Sequence, residues 1–95
     1  MHEMHDLTGR YVVARCYYAG VHAGVLAAHD QQQVVLHQAR RLWSWEANEG
    51  VALSGVARSG LKDGKIDTEV PEVWLGDCYE LLQCSKEAED SIRAA

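Results

Sequence analysis

Three extended, apolar runs separated by short breaks constrain the fold of this chain more than any other feature of its sequence. Residues 11–17, 21–28 and 33–39 are rich in β-branched, aromatic and aliphatic side chains and show no helical period. Ala19-Gly20 separates the first run from the second. The polar residues 29–32 have the right length for a hairpin loop between the second run and the third. The three runs therefore predict an antiparallel meander.

The second half of the chain predicts one long strand and one or two helices. Residues 48–58 have apolar spacing compatible with a short helix that Gly60 would end, and residues 61–68 are typical of a charged loop. Residues 72–83 form the longest extended run, with a kink or bulge expected at Gly76-Asp77. Ser85 is a suitable N-cap for a helix over residues 85–93, with acidic residues near its start and Arg93 near its end.

These elements predict a single α+β domain over residues 11–95. Its core would be a small antiparallel sheet or curled barrel of four to five strands, with one or two short helices. The polar residues 1–10 predict a mobile leader. A domain of this size buries only about 60–65% of the surface of its unfolded chain, so a second copy would add apolar burial and we expect a homo-oligomer.

Charge and hydropathy exclude several classes of function. The formal net charge of −5 argues against general nucleic-acid binding, because affinity for a phosphate backbone rests on clustered Lys and Arg. No apolar run is long enough to span a bilayer, and no basic segment followed by an apolar stretch resembles an export signal, so we expect no membrane association. Cys16, Cys78 and Cys84 are an odd set without C-x-x-C spacing, which indicates reduced thiols in a cytoplasm.

The most distinctive chemistry follows the third run, where Arg40, Arg41, Trp43 and Trp45 continue the strand. Strict alternation places Arg41, Trp43 and Trp45 on one face. With side chains from the neighbouring strands, these residues predict a ligand-binding wall in which guanidinium groups meet phosphate and aromatic rings stack on a base or ribose. The predicted ligand-binding set is Arg15, Tyr17, His22, Arg40, Arg41, Trp43 and Trp45. The alternative is that the indoles fill the core or an oligomer interface and the arginines pair with acidic residues.

Other chemistry-bearing patterns predict no catalytic or metal site. His2 and His5, flanked by Glu3 and Asp6, have a spacing that chelates a divalent metal on a helix, but in a terminal segment free imidazoles are the expectation. The one candidate for nucleophilic catalysis is Cys16 as nucleophile with His22 or His37 as its base. Because Cys16 lies in an apolar strand, we expect an inert thiol. We therefore expect a protein that is not an enzyme and uses no cofactor.

Two segments resemble an uncharacterised family of small proteins from tailed phages and prophages. They are residues 11–26, with Arg15-x-Tyr17-x-Ala-Gly-Val-His22-x-Gly24, and residues 34–45, with Ala39-Arg-Arg-x-Trp43-x-Trp45. The closing strand and acidic tail from Pro71 onward are similar as well. Tyr18, where the family commonly has Ser, and residues 46–48, where it has a Gly-Ala turn, depart from the pattern.

The resemblance implies a phage or prophage origin and two main roles. The first is an accessory protein in the cytoplasm of the infected bacterial host. Together with a size that needs oligomerisation and a strand face that pairs arginines with indoles, this predicts a non-enzymatic oligomeric binder that would sequester a nucleotide-type immune signal, such as a cyclic oligonucleotide or a cyclic ADP-ribose derivative. The second is a minor virion or assembly protein that acts through protein–protein contacts. A third possibility, inhibition of a host enzyme by the acidic surface, rests on the net charge alone.

Overall fold

One antiparallel sheet and two helices account for the regular structure of residues 6–95, the part of the chain that the computed structural model describes. In chain order the elements are β1 (Tyr11–Cys16), β2 (Val21–Asp30), β3 (Gln33–Ala47), α1 (Leu53–Ser59), β4 (Leu61–Ile66), β5 (Val70–Leu75), β6 (Cys78–Gln83) and α2 (Lys86–Ala94). The strand order is β4-β3-β2-β1-β6, and β5 also pairs with β3. The described residues thus form an α+β domain whose six strands curl into a half-barrel, where the sequence predicted four to five strands.

β3 curls the sheet because it has two successive partners along one edge. Its residues 34–39 pair with β5, its residues 42–47 pair with β4, and β2 lies along its other edge. The backbone of Gln38, near the end of the half that pairs with β5, has a φ of 52°. On β2, a Cβ atom at Gly24 would lie 2.8 Å from the carbonyl oxygen of His37. Glycine at position 24 therefore permits the close approach of the two strands at the bend.

The sheet buries side chains on both faces. The first cluster lies inside the curl and consists of Val12, Ala14, Cys16, Leu26, Val34, Leu36, Ala39, Leu75 and Cys78. The second cluster lies on the opposite face, under the two helices, and consists of Tyr11, Val13, Ala23, Leu42, Ala47, Leu53, Val56 and Ile92. β1 contributes alternate residues to both clusters, which explains its continuous apolar sequence.

The predicted meander and the C-terminal helix are confirmed. β1, β2 and β3 pair in the expected antiparallel order. Ser85 caps α2, since its Oγ accepts a hydrogen bond from the backbone N–H of Ala88 at 3.0 Å. The longest described helix is α2, with nine residues. Among residues 6–95 no helix has the length and apolar character that crossing a bilayer requires.

Three predictions for the second half of the chain need correction. The helix expected over residues 48–58 is shorter, because α1 begins at Leu53 and ends before Gly60, whose φ is 87°. The predicted loop over residues 61–68 is wrong, because residues 61–66 form β4 along the free edge of β3. The expected long strand over residues 72–83 is two strands, β5 and β6, that are divided at Gly76-Asp77.

The N-terminal segment is described from Asp6 onward. His2, Glu3 and His5, which belong to the spacing considered for a metal, lie outside the described residues. Residues 6–10 contact β2, since the N–H of Gly9 donates to the Leu26 carbonyl at 2.8 Å and the N–H of Leu26 donates to the Arg10 carbonyl at 2.9 Å. The hydrogen-bonded structure of the domain therefore begins before β1.

Candidate functional site

A cleft of about 250 Å³ opens at one end of the first cluster, between the bend of β3 and the connection from β4 to β5. It is lined by His22, Ala39, Arg41, Trp43, Asp67, Thr68, Val70 and Val73, and we call it the Arg41 cleft. Ala39 and Val73 belong to or pack against the first cluster, so they give the cleft an apolar floor. Its charged and hydrogen-bonding groups come from β2, β3 and the connection.

Arg41 and Trp43 form the centre of the cleft. The guanidinium carbon of Arg41 lies 3.6 Å from the centroid of the Trp43 ring, a close cation–π contact. The Nε atom of Arg41 is buried and has no hydrogen-bond partner among the described residues. A Cβ atom at Gly20 would lie 2.8 Å from Nη2 of Arg41, so the glycine leaves room for the guanidinium beside the turn between β1 and β2. The guanidinium is thus confined and still has unused donor capacity.

A β-bulge in β3 explains the position of Trp43. Leu42 lies opposite Ile66, and Ser44 lies opposite Lys65, so Trp43 is the extra residue on β3. The bulge leaves the indole 56% exposed. It also shifts the alternation, and Trp45 therefore packs against the second cluster, the same cluster that contains Leu42. The prediction that Arg41, Trp43 and Trp45 share one face is wrong for Trp45, because strict alternation does not continue through a bulge.

Asp67 supplies a carboxylate at the rim of the cleft. Its backbone N–H donates to the carbonyl of Arg41 at 2.8 Å, and its Oδ2 accepts a hydrogen bond from the indole N–H of Trp43 at 3.3 Å. The backbone N–H of Thr68 and then the Trp43 indole hold the pKa of Asp67 below its ordinary value, because both donate to the charged form. The cleft thus carries a cation over the face of the Trp43 indole and a carboxylate at its N–H edge.

His22 closes the inner side of the cleft as a neutral imidazole. Its side chain is buried, and its Nε2 lies 2.8 Å from the carbonyl oxygen of Ala19. A carbonyl can only accept, so Nε2 carries the proton and Nδ1 is an acceptor. Burial lowers the pKa of His22, which favours this uncharged form.

The structure brings together three of the predicted ligand-binding residues, His22, Arg41 and Trp43. Arg40 points to the other face of the sheet, where its Nε donates to the Asp67 carbonyl at 2.8 Å and its Nη1 donates to the Ile92 carbonyl at 2.7 Å. These bonds tie the C-terminal end of α2 to the sheet, so Arg40 has a structural position.

Arg15 and Tyr17 also lie away from the cleft. Nε of Arg15 is 3.5 Å from a carboxylate oxygen of Glu80 on β6. The rings of Tyr17 and Tyr79 stack with centroids 4.3 Å apart, beside Tyr18, which is 93% exposed. The predicted residues therefore divide into the Arg41 cleft, one partly buried indole, one helix anchor, one arginine beside Glu80 and one exposed aromatic surface.

Asp67 and Thr68 are polar groups of the cleft that the sequence pattern does not predict. Both lie in the segment predicted as a charged loop. An Asp-Thr pair in such a loop has no local feature that marks a site, since Asx-type turns favour the same residues. Only the pairing of β4 with β3 brings them beside Trp43.

The thiol and the imidazoles considered for catalysis have other surroundings. Cys16 is buried inside the curl, and burial raises the pKa of its thiol to about 12. Nε2 of His37 lies on the outer face of the sheet, 2.8 Å from Glu72. At neutral pH this environment keeps the Cys16 thiol protonated, which makes it a slow nucleophile.

A family described as "Domain of unknown function (DUF6948)" matches residues 9–92 of the chain. The chain belongs to this family. Neither the curated proteins nor the solved structures contain a significant match to it. The segment matched to the DUF6948 family contains every residue that lines the Arg41 cleft, from His22 to Val73.

A second surface of this DUF6948 domain is apolar and lies on the outer face of the sheet, beyond the cover of the helices. A hollow of about 520 Å³ is lined by Ala28, His29, Asp30, Gln33, Val34, Val35, Trp74, Leu75 and Gly76. The Trp74 side chain is 75% exposed at its edge. Its indole N–H donates to Glu72, which fixes the ring without burying it. This outer hollow has no arginine in its lining.

Proposed function

We propose that this protein is a non-enzymatic binder of a small, phosphate-bearing ligand of nucleotide type, held in the Arg41 cleft. The observation that carries the proposal is the state of Arg41, whose guanidinium stacks on Trp43 while its Nε is buried without a partner among the described residues. Buried donors without a partner are uncommon, because the lost hydration costs about 1–3 kcal/mol. An anion that accepts from Arg41 would remove this cost.

The chemistry of the cleft favours phosphate attached to an organic group. Arginine offers planar, paired donors that match phosphate oxygens, and the exposed indole edge and apolar floor suit a sugar or base. A volume of about 250 Å³ accommodates only part of a dinucleotide-sized molecule. A larger ligand would project from the cleft and would need a second copy of the chain to cover it, in agreement with the homo-oligomer expected for so small a domain.

The biological role proposed for this binding is sequestration of a nucleotide-type immune signal in the cytoplasm of an infected bacterial host. The motifs around Arg15 and Arg41 that resemble small phage and prophage proteins support this role. Sequestration needs only tight, stoichiometric binding, and a cleft that offers charge-assisted hydrogen bonds and stacking supplies the interactions for it.

Native mass spectrometry of the purified protein tests the proposal. The protein is measured alone and with cyclic dinucleotides, cyclic trinucleotides and ADP-ribose derivatives. We expect a defined oligomer that retains one of these compounds, with retention lost in Arg41→Ala. Arg10→Ala is the matched control, because it removes the same charge from an exposed position outside the cleft. An oligomer that retains none of the compounds, or equal retention by both variants, would show that the proposal is wrong.

A role as a minor virion or assembly protein is the second candidate, and the exposed aromatic residues favour it. Trp74 beside the outer hollow and the stacked pair Tyr17–Tyr79 with Tyr18 leave large apolar rings in solvent. Exposed aromatic clusters are frequent in protein-binding surfaces. If Trp74→Ser changes the oligomer and Arg41→Ala has no effect on any ligand, the assembly role is the better explanation.

A further inference from the structure

Cys16 and Cys78 occupy directly opposite positions on two neighbouring strands. Cys16 ends β1, Cys78 begins β6, and the two residues are partners in the antiparallel register, at a β-bulge where the register shifts between Arg15 and Cys16. Both side chains point into the curl, where they belong to the first cluster and are 6% and 5% exposed. The thiols of both residues are free.

The geometry points to a latent disulfide between Cys16 and Cys78, a modification site that locks the wall of the Arg41 cleft when the thiols are oxidised. Opposed residues in antiparallel strands have Cα atoms about 4.5–5.5 Å apart, which overlaps the range of about 4.4–6.8 Å that disulfides span. The two side chains belong to the same buried cluster, so both thiols lie on one face of the sheet.

The bridge would act on the turn between β1 and β2. The N–H of Cys16 donates to the Gly20 carbonyl at 2.9 Å, and the N–H of Tyr17 donates to the Asp77 carbonyl at 3.1 Å. The Asp77 carboxylate also accepts hydrogen bonds from the N–H groups of the two residues that follow Tyr17. Gly20, at the end of this turn, lies against Arg41. A covalent bond at the base of the turn would therefore restrain the wall that confines the guanidinium.

The proposed oxidant is a small-molecule disulfide, such as oxidised glutathione. The thiolate of one cysteine attacks a sulfur of the reagent and forms a mixed disulfide, releasing one glutathione. The second cysteine then attacks the protein-bound sulfur, forms the Cys16–Cys78 bond and releases a second glutathione. The protein loses two protons and two electrons, and the reagent gains them. Because burial raises the pKa of both thiols, we expect the reaction to be slow at neutral pH and faster in mildly alkaline buffer.

Cys84 supplies the internal control for this inference. It packs against the second cluster, on the face that the helices cover, so the sheet separates it from the other two thiols. Cys84→Ala should still form the bridge, whereas Cys16→Ala and Cys78→Ala should not. Alanine is the substitution of choice because all three sites are apolar and a serine hydroxyl would need a partner there.

The test is oxidation of the folded, full-length protein with oxidised glutathione, followed by intact mass and by peptide mapping without reductant. We expect a monomer lighter by two hydrogen atoms, a cross-linked peptide pair that contains Cys16 and Cys78, and a thermal midpoint raised by roughly 5 °C or more. A bridge to Cys84, a bridge between chains, stable glutathione adducts alone, or no reaction of the folded protein would each overturn the inference. None of these outcomes depends on whether the cleft binds a nucleotide.

Discussion

The guanidinium of Arg41 lies 3.6 Å from the centroid of the Trp43 ring, and Trp43 is the extra residue of a bulge in β3. In a regular strand Arg41, Trp43 and Trp45 would all point to the same face of the sheet. The bulge instead turns Trp45 toward the helices and leaves Trp43 at the open end of the curl. One backbone irregularity thus separates an indole that packs against the second cluster from an indole that lines the cleft.

The first prediction concerns the shape of the cation at position 41. Arg41→Lys keeps the positive charge but removes the planar group that stacks on Trp43 and offers paired donors. We expect ligand affinity to fall by about tenfold or more, which corresponds to ~1.4 kcal/mol, with little change in the unfolding midpoint. Isothermal titration calorimetry with the ligand found by native mass spectrometry measures the effect. Equal affinities would show that charge alone is recognised.

The second prediction uses two glycines with the same backbone conformation. Gly20 has a φ of 85° and Gly9 a φ of 89°, so alanine should cost about 1 kcal/mol of stability at either position. Only at Gly20 would the new methyl group meet Arg41, whereas among residues 6–95 nothing lies within 4 Å of the position at Gly9. Gly20→Ala should therefore weaken ligand binding and Gly9→Ala should not. Chemical denaturation and calorimetry on both variants give the comparison.

The third prediction separates adjacent arginines. Arg40→Ala removes the hydrogen bonds to the carbonyls of Asp67 and Ile92, and it leaves the end of α2 without its anchor. We expect a loss of about 1–2 kcal/mol in the free energy of unfolding. Ligand affinity should stay within about twofold, since Arg40 lies on the other face of the sheet. A variant with unchanged stability and lost binding would contradict the assignment of Arg40 to a structural role.

The local sequence pattern predicted the elements whose signals are local. β1 is a continuous apolar run, and Ser85 followed by acidic residues marks the start of α2, so both were found. β4 was missed because its middle residues are charged and exposed, and it becomes a strand only through the edge that β3 offers. Secondary structure that depends on a distant partner leaves no periodicity in its own segment.

The sequence predicts only part of the candidate site, because some of its residues are brought together by distant strand pairing. Arg41 and Trp43 were selected by residue type and alternation, and His22 by its place on the neighbouring strand. Trp45 was assigned to the same face because a bulge cannot be read from alternation, and Asp67 was missed because a chain reversal brings it to the indole. Residue types therefore identify β3 as the strand that carries the site. The register of β3 with β4 determines which of its side chains lie together.

The last prediction concerns the pH dependence of stability that comes from His22. Burial lowers the pKa of His22 in the folded protein below its ordinary value of 6.5, so near that pH the unfolded chain binds more protons than the folded one. The contribution of His22 to stability is therefore present above pH 6.5 and is lost as the pH falls through this value. We expect the free energy of unfolding to decrease from about pH 7.5 to about pH 6, a window above the isoelectric point of about 5.4.

Urea denaturation across this window measures the effect, and two variants assign it. His22→Gln keeps a donor for the Ala19 carbonyl and removes the titrating ring, so the decrease should become smaller. His37→Gln removes an imidazole that is exposed on the outer face and should leave the decrease in place. If His22→Gln retains the full pH dependence of the natural protein, the buried imidazole is not its source. In that case the neutral, hydrogen-bonded state assigned to His22 in the cleft is wrong.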